Sequence, residues 1–200
     1  MWIAKIKISG ENTLLGSRAI KYKISGTGYP LSYYKKGNHI FAFIAGLIFG
    51  EEKNKKAFIS DLKKSKDVIK VEVKKDFLVA LIKQPLIAES IYDPRIIHIK
   101  PAFISSEGYE IYELASWDRK LLIKEIEIEE KYHKGQLLKL EEKELTNISV
   151  FTILPELTDK QKKALQIAVE NGYYEYPKKI ELKKLAKLMG ISYSNYKAHL

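Results

Sequence analysis

Polar and apolar residues alternate with period two at residues 2–8, where Ile6 and Ile8 flank Lys7, as in a strand with one buried face. Asn12-Thr13 then form a helix cap, with Leu14, Leu15, Ala19 and Tyr22 near one face and Gly26 and Gly28 closing the helix. Residues 29–36 and 39–49 read as two strands around the turn Lys36-Gly37-Asn38. Residues 51–66 are amphipathic, setting Ala57, Phe58 and Leu62 against lysines. Strands follow at 68–73 and 77–82, with Lys74-Lys75-Asp76 at the turn. Residues 1–84 therefore carry the βαββαβ order of a ferredoxin-like domain, which Gln84-Pro85 leaves.

A second α/β unit is expected over 85–154. Residues 96–103 and 109–114 read as a hairpin, Ser116 as the cap of a helix running to about Tyr132, and Gly135 as its stop. Residues 137–140 and 148–154 complete a ββαββ pattern. From residue 155 the pattern is purely helical. Thr158 and Gln161 have the spacing of a capping box, and Ala164, Leu165, Ala168 and Val169 make a stripe that ends at Asn171-Gly172. Leu182, Leu185, Ala186 and Met189 line a second helix closed by Gly190, and Ser192 caps a third. The fold class is α+β: a ferredoxin-like domain, a second α/β unit, and an all-α helix-turn-helix domain at 155–200.

Charge sharpens this division. Residues 1–83 carry 17 basic and 7 acidic groups, residues 84–155 carry 9 and 13, and residues 156–200 carry 9 and 5, within a formal net charge of +10. A basic C-terminal segment suits a polyanion, because lysines displace the counterions condensed on phosphates. No apolar run reaches the roughly 18 residues of a membrane helix. With no cysteine there is neither a disulfide nor a thiolate metal site, which fits a cytoplasmic location.

The motif that carries function is Leu185-Ala186-x-x-x-Gly190-Ile191. Alanine allows two helices to cross closely, glycine adopts the left-handed turn, and Ile191 fills the wedge between them. With Tyr196 facing inward, Ser192, Tyr193, Ser194, Lys197 and Ala198 face outward, where a recognition helix meets base edges and phosphates. An ordinary helical hairpin also permits this spacing. The wider segment resembles the C-terminal domain of archaeal bacterio-opsin activator-type regulators. The matching positions are Leu157, Thr158, Gln161, Leu165, Ala168, Gly172-Tyr173-Tyr174, Pro177-Lys178, Leu182, Leu185-Ala186, Gly190-Ile191-Ser192, Ser194 and His199-Leu200. The resemblance implies a helix-turn-helix related to the promoter-reading domains of sigma factors, in a transcription factor that binds double-stranded DNA. Lys178-Lys179 stands where that family often has arginine. Family members usually continue one or two turns past the position of Leu200, so a truncated recognition helix is expected. Lys178, Lys179, Lys183 and Lys197 are the expected phosphate contacts.

The remaining candidates are weaker. His39, His98, His133 and His199 lie far apart in sequence, so no metal is expected. Gly26-Thr27-Gly28 reads as a turn, since no nucleotide-binding pattern is completed. Glu125, Glu127, Glu129 and Glu130, mixed with Lys124 and Lys131, read as a solvated face. No catalytic constellation or cofactor motif is present in the spacing, so no enzyme is expected. Arg18, Lys21-Tyr22-Lys23 and Tyr33-Tyr34-Lys35-Lys36 mix aromatic and basic side chains as a single-stranded nucleic-acid surface does. That keeps open a second reading, an RNA-binding protein that uses the ferredoxin-like sheet. The βαββαβ order is also that of ligand-sensing ACT-type modules. A homodimer through residues 1–154 is expected, with a small-molecule effector at the Gly10, Asn12, Thr13 loop, where helix N-terminal amides suit an anionic group.

Overall fold

The alternation in the first strand is realised as β1 (Trp2–Ser9), whose Ala4, Ile6 and Ile8 are buried on one face. It leads into α1 (Gly16–Tyr22), a short helix that Lys23 ends in the left-handed conformation, with φ 53°. Then follow β2 (Ser25–Lys36), β3 (His39–Phe49), α2 (Glu52–Lys64), β4 (Val68–Lys74) and β5 (Phe77–Pro85). A 3-10 helix (Leu86–Tyr92) precedes β6 (Ile97–His98), β7 (Ala102–Ile104), β8 (Tyr109–Ser116), α3 (Arg119–His133) and β9 (Gln136–Glu142). The computed structural model describes residues 1–146, 148 and 157–200. They fall into two units, Met1–Phe151 and Thr152–Leu200.

Within the first unit one antiparallel sheet runs in the order β4-β5-β3-β2-β7-β8-β1-β9, with β6 paired to β8. This differs from the ferredoxin-like order expected for residues 1–84. There the first strand would join the strands that follow it, but β1 instead pairs over its whole length with β8 and also with β9. The sheet therefore runs through both of the α/β segments expected from the sequence. It has an internal pseudo-symmetry. β5 lies between the parallel pair β3 and β4 that α2 connects, and β1 lies between the parallel pair β8 and β9 that α3 connects. The two halves meet where β2 pairs with β7. The second half thus takes its fourth strand from the N-terminus. The strand expected at 148–154 lies outside the described residues, apart from Ile148.

All three helices bind the same sheet face. Phe58 and Leu62 of α2 pack on Ala42, Ile48, Leu78, Ala80 and Ile82, and Leu122 and Ile126 of α3 pack on Ala4, Ile6, Ile8 and Leu114. α1 is clamped to α2 through Asp61, which accepts from Arg18 at 3.0 Å, Lys21 at 2.7 Å and the Tyr22 hydroxyl at 2.6 Å. These contacts hold the Asp61 carboxyl down at about 2, through the Lys21 and Tyr22 hydrogen bonds first.

Several local expectations change in the folded chain. Gly26-Thr27-Gly28 is part of β2 rather than a turn. Gly28 faces Gly46 across the β2–β3 ladder, and a Cβ on Gly28 would come within 2.7 Å of the Ala45 carbonyl oxygen. Glycine is needed here because two backbones approach closely, a signal that looks like a turn in one dimension. The strand expected at 96–103 is split into β6 and β7. Asp118, not Ser116, caps α3, accepting from the Lys120 amide at 2.9 Å. Ser116 instead donates to the Arg95 carbonyl and accepts from the Asp118 amide.

The second unit holds α4 (Asp159–Glu170), α5 (Leu182–Met189) and α6 (Tyr193–His199). No helix among the described residues is long and apolar enough to cross a membrane.

Candidate nucleic-acid interface

The C-terminal unit begins with a complete capping box. The Gln161 amide donates to Thr158 Oγ1 at 3.3 Å, and the Thr158 amide donates to Gln161 Oε1 at 2.9 Å. Small residues then set the helix spacing. Ala164 and Ala168 of α4 and Ala186 of α5 are buried, together with Leu185 and Tyr196. Ile167 packs against this cluster, whereas Leu165 and Val169, which were expected in the core stripe, are exposed. Ala164 and Ala168 keep their expected places, and Ile167 rather than Leu165 or Val169 completes the stripe.

Gly190 makes the turn between α5 and α6. Its φ is 72°, the Ile191 amide returns to the Ala186 carbonyl at 3.1 Å, and nothing lies within 4 Å of where a Cβ would be. The glycine is thus needed for its backbone conformation, not for space. Ser192 caps α6 by accepting from the Asn195 amide at 3.2 Å. One helical turn later the fully buried Tyr196 donates its hydroxyl to the Ala164 carbonyl at 2.6 Å. This bond runs from α6 to α4 and fixes the rotation of α6 about its own axis. With Tyr196 turned inward, helical spacing carries Ser194 and Ala198 to the opposite side and Tyr193 and Lys197 to the flanks of the helix, and all four are exposed.

The expected phosphate contacts divide into two groups. Lys183 on α5 and Lys197 on α6 are exposed and, among the described residues, have no ion-pair partner. Lys178 lies over the Tyr173 ring, 4.4 Å from its centre. Lys179 pairs with Glu175 at 2.5 Å, and its amide donates to the Gly172 carbonyl. Lys178 and Lys179 are thereby held in the segment between α4 and α5. A pair as exposed as Lys179 and Glu175 is weak and yields readily to a phosphate.

The other sequence-level candidates are scattered over the N-terminal unit. Arg18, Lys21 and Tyr22 all bind Asp61, and Lys35 pairs with Glu89 at 2.5 Å, so the basic tyrosine-rich segments do not form one platform. Thr13 directs its hydroxyl to the buried Glu110 carboxylate, and the Gly16 amide donates back to Thr13 Oγ1 at 3.0 Å. Gly10 packs against Gly16 and Gly108, and Asn12 is exposed beside the same loop. The Gly10, Thr13 and Gly16 amides are thus already bonded within the chain, and the polar group beside them is the Glu110 carboxyl, a poor neighbour for an anion. Among the glutamates read as a solvated face, Glu127 and Glu130 are exposed, but Glu125 and Glu129 are buried. The missed signal is spacing: Glu125, Glu129 and His133 recur every fourth residue, on the side of α3 next to Leu122 and Ile126.

Residues 157–200 match the protein family described as an HTH DNA binding domain, of the bacterio-opsin activator type. The C-terminal unit is therefore a helix-turn-helix DNA-binding domain, and it points to a regulator of transcription rather than an enzyme. No curated protein and no solved structure matches the chain.

The Tyr196 lock gives a graded expectation. Tyr196→Phe keeps the ring and removes one hydrogen bond, lowering stability of the helical unit by about 0.5–1.5 kcal/mol. Tyr196→Ala empties the core position and costs about 3–5 kcal/mol. Urea unfolding followed by the near-ultraviolet tyrosine signal measures both, and equal stability of the two variants would show that the ring is not the core anchor.

Proposed function

We propose that this protein is a sequence-specific DNA-binding transcriptional regulator that places α6 in the major groove of duplex DNA. The observation that carries the reading is the inward lock of Tyr196, which leaves Tyr193, Ser194 and Lys197 exposed on one side of a capped helix that follows a glycine turn. Tyr193 and Ser194, in the first turn of α6, reach base edges. Lys178, Lys179, Lys183 and Lys197 contact phosphates, and Ser192 holds the helix start. The N-terminal unit serves for dimerisation and ligand sensing. One recognition helix reads only a few base pairs, and two-fold pairing doubles the site.

Support for self-association comes from the sheet face opposite the helices. Tyr34, Phe43 and Phe103 point from that face and are exposed, and Tyr34 stacks on Phe41 at 5.2 Å between ring centres. Exposed aromatic side chains at this density suit a protein interface. The same face is also the one an RNA reading would use. Arg18, Lys21 and Tyr22 lie on α1, against the other face, where they bind Asp61, so they bring no positive charge to the face such a reading requires.

Duplexes selected from a random pool by the full chain provide the test. The Lys178→Ala, Lys197→Ala double variant weakens binding to every sequence and lowers the logarithmic salt slope by about two. Ser194→Ala changes preference at one or two base pairs by about 1–3 kcal/mol and leaves non-specific binding nearly constant. Single-stranded RNA bound more tightly than the selected duplex at equal salt would overturn the DNA reading. Sedimentation of the full chain gives a dimer, and Phe43→Glu with Phe103→Glu shifts it to monomer. A wild-type monomer at high concentration removes the dimer.

A further inference from the structure

A cavity of about 720 Å³ lies in the N-terminal unit on the helix side of the sheet. Its floor is the β2–β3 hairpin where Gly28 faces Gly46, so side chains do not fill it. Around it stand Thr13 from the loop before α1, Tyr92 from the 3-10 helix, Glu110 and Tyr112 from β8, and Glu125 and Glu129 from α3. The carboxylates come from two different elements and meet at one space.

Their states of compensation differ. Glu110, only 2% exposed, accepts from Thr13 and from the Tyr112 hydroxyl at 2.5 Å. Glu129 binds His133 Nδ1 at 2.6 Å, and that contact raises the affinity of the imidazole for its proton. Glu125 is 1% exposed, and among the described residues neither of its oxygens has a hydrogen-bond partner. The Ser90 hydroxyl and the Glu129 carboxyl are its nearest polar influences, the first lowering and the second raising its hold on the proton, but neither is placed in a well-formed hydrogen bond with it. Burial pushes its carboxyl up to about 7. An unpaired buried carboxylate is among the most destabilising groups a domain can carry.

The basic groups lining the cavity do not supply the missing partner. Arg18 is bound to Asp61, Lys83 lies 3.5 Å from Asp67, and Lys66 and His39 are exposed at the rim. His98 is bonded to the Ile91 carbonyl, and His133 is bonded to Glu129 and acts on Glu125 only at longer range. Among the described residues, no His, Asp and Glu side chains come together closely enough to hold a metal ion. Two vacant carboxylate oxygens require donors, which an ammonium or a planar guanidinium-like group has and a quaternary ammonium lacks. Tyr92 and Tyr112, with Ile44 and the glycine floor, offer an aromatic and apolar bed.

We propose that this cavity binds a small organic cation with N–H donors on an aromatic or apolar body, and that Glu125 is its ion-pair partner. The site deepens the sensing role proposed above by giving the ligand its charge, opposite to the anion expected from the loop before α1. Binding is read without DNA, so failure of this inference and failure of DNA recognition are separate results.

Isothermal titration of the full chain compares tryptamine with its neutral relative indole-3-ethanol, its carboxylate relative indole-3-acetate, and its N,N,N-trimethyl derivative. Benzamidine serves as a second cation. At least one of tryptamine and benzamidine binds with a Kd below about 1 mM, and the cation that binds does so at least about tenfold more tightly than indole-3-ethanol. Indole-3-acetate does not bind, and the trimethyl derivative is weaker than tryptamine. Glu125→Gln removes the preference for the cation, while Glu127→Gln, exposed on the same helix, leaves it intact. Without ligand, Glu125→Gln melts at a higher temperature than the parent, because an unpaired charge is gone. That gain grows as pH rises from 4.5 toward 7, the interval in which the unfolded chain has already released the Glu125 proton and the folded chain still holds it, and levels off above 7. Glu110 and Tyr112 of β8 and Tyr92 are common to both proteins, while Glu129 and His133 of α3 feel the Glu125 charge, so Glu125→Gln also withdraws one of the influences that raise the proton affinity of His133. The proposal is overturned if neither cation binds, if the neutral relative binds as well as the cations, or if Glu125→Gln leaves cation binding unchanged. A ligand-free Glu125→Gln that melts below the parent at neutral pH also overturns it, since the carboxyl would then be a structural partner.

Discussion

β1 has no partner near it in sequence, and the N-terminal unit is built around where it goes. It enters between β8 and β9, more than a hundred residues downstream, and pairs with both. Without it, the parallel strands β8 and β9 would each expose a row of backbone donors and acceptors, and Leu122 and Ile126 of α3 would lose Ala4, Ile6 and Ile8. The same insertion carries the following loop across the end of β8. There Thr13 reaches Glu110, and Gly10 and Gly16 come so close that no side chain fits between them. Long-range pairing of this kind is slow to form, because the loop must close before any contact rewards it.

The two units solve the packing problem by different means. The N-terminal sheet has two halves of the same strand order, each with one parallel pair wrapped about an antiparallel strand. Its helices cover one face and leave a gap over the glycine floor. The C-terminal unit has no sheet, and its core is small: Ala164, Ala168, Leu185, Ala186 and Tyr196. A core of this size depends heavily on each member, which is why one tyrosine both anchors α6 and decides which residues DNA would meet.

Electrostatics follows the same division. The positive charge of the helical unit is held on exposed lysines, cheap to hydrate and quick to meet a phosphate. In the N-terminal unit the informative charges are buried and negative, on Glu110, Glu125 and Glu129. Surface lysines say little about a partner by themselves, whereas a buried carboxylate without a donor is a specific demand on whatever enters the cavity.

The helix-turn-helix was legible in the sequence because its determinants are local. The Thr158–Gln161 box, the Gly190 turn and the Ser192 cap each act over three or four residues, so spacing alone reports them. The strands of the β2–β3 hairpin and the helical period of α2 were legible for the same reason, in the Lys36-Gly37-Asn38 turn and in the i, i+4 repeat. Sheet order was not. The pattern in β1 states that one face is buried, but not against which strand, and its true neighbours are set by competition among all possible pairings. Gly26 and Gly28 gave a turn signal because a residue without a side chain serves a close backbone approach and a tight turn equally well. Glu125 and Glu129 looked like members of a solvated row because one dimension shows their charge and not their direction. Only the packing of α3 beside β8 turned them inward, where water no longer competes for them.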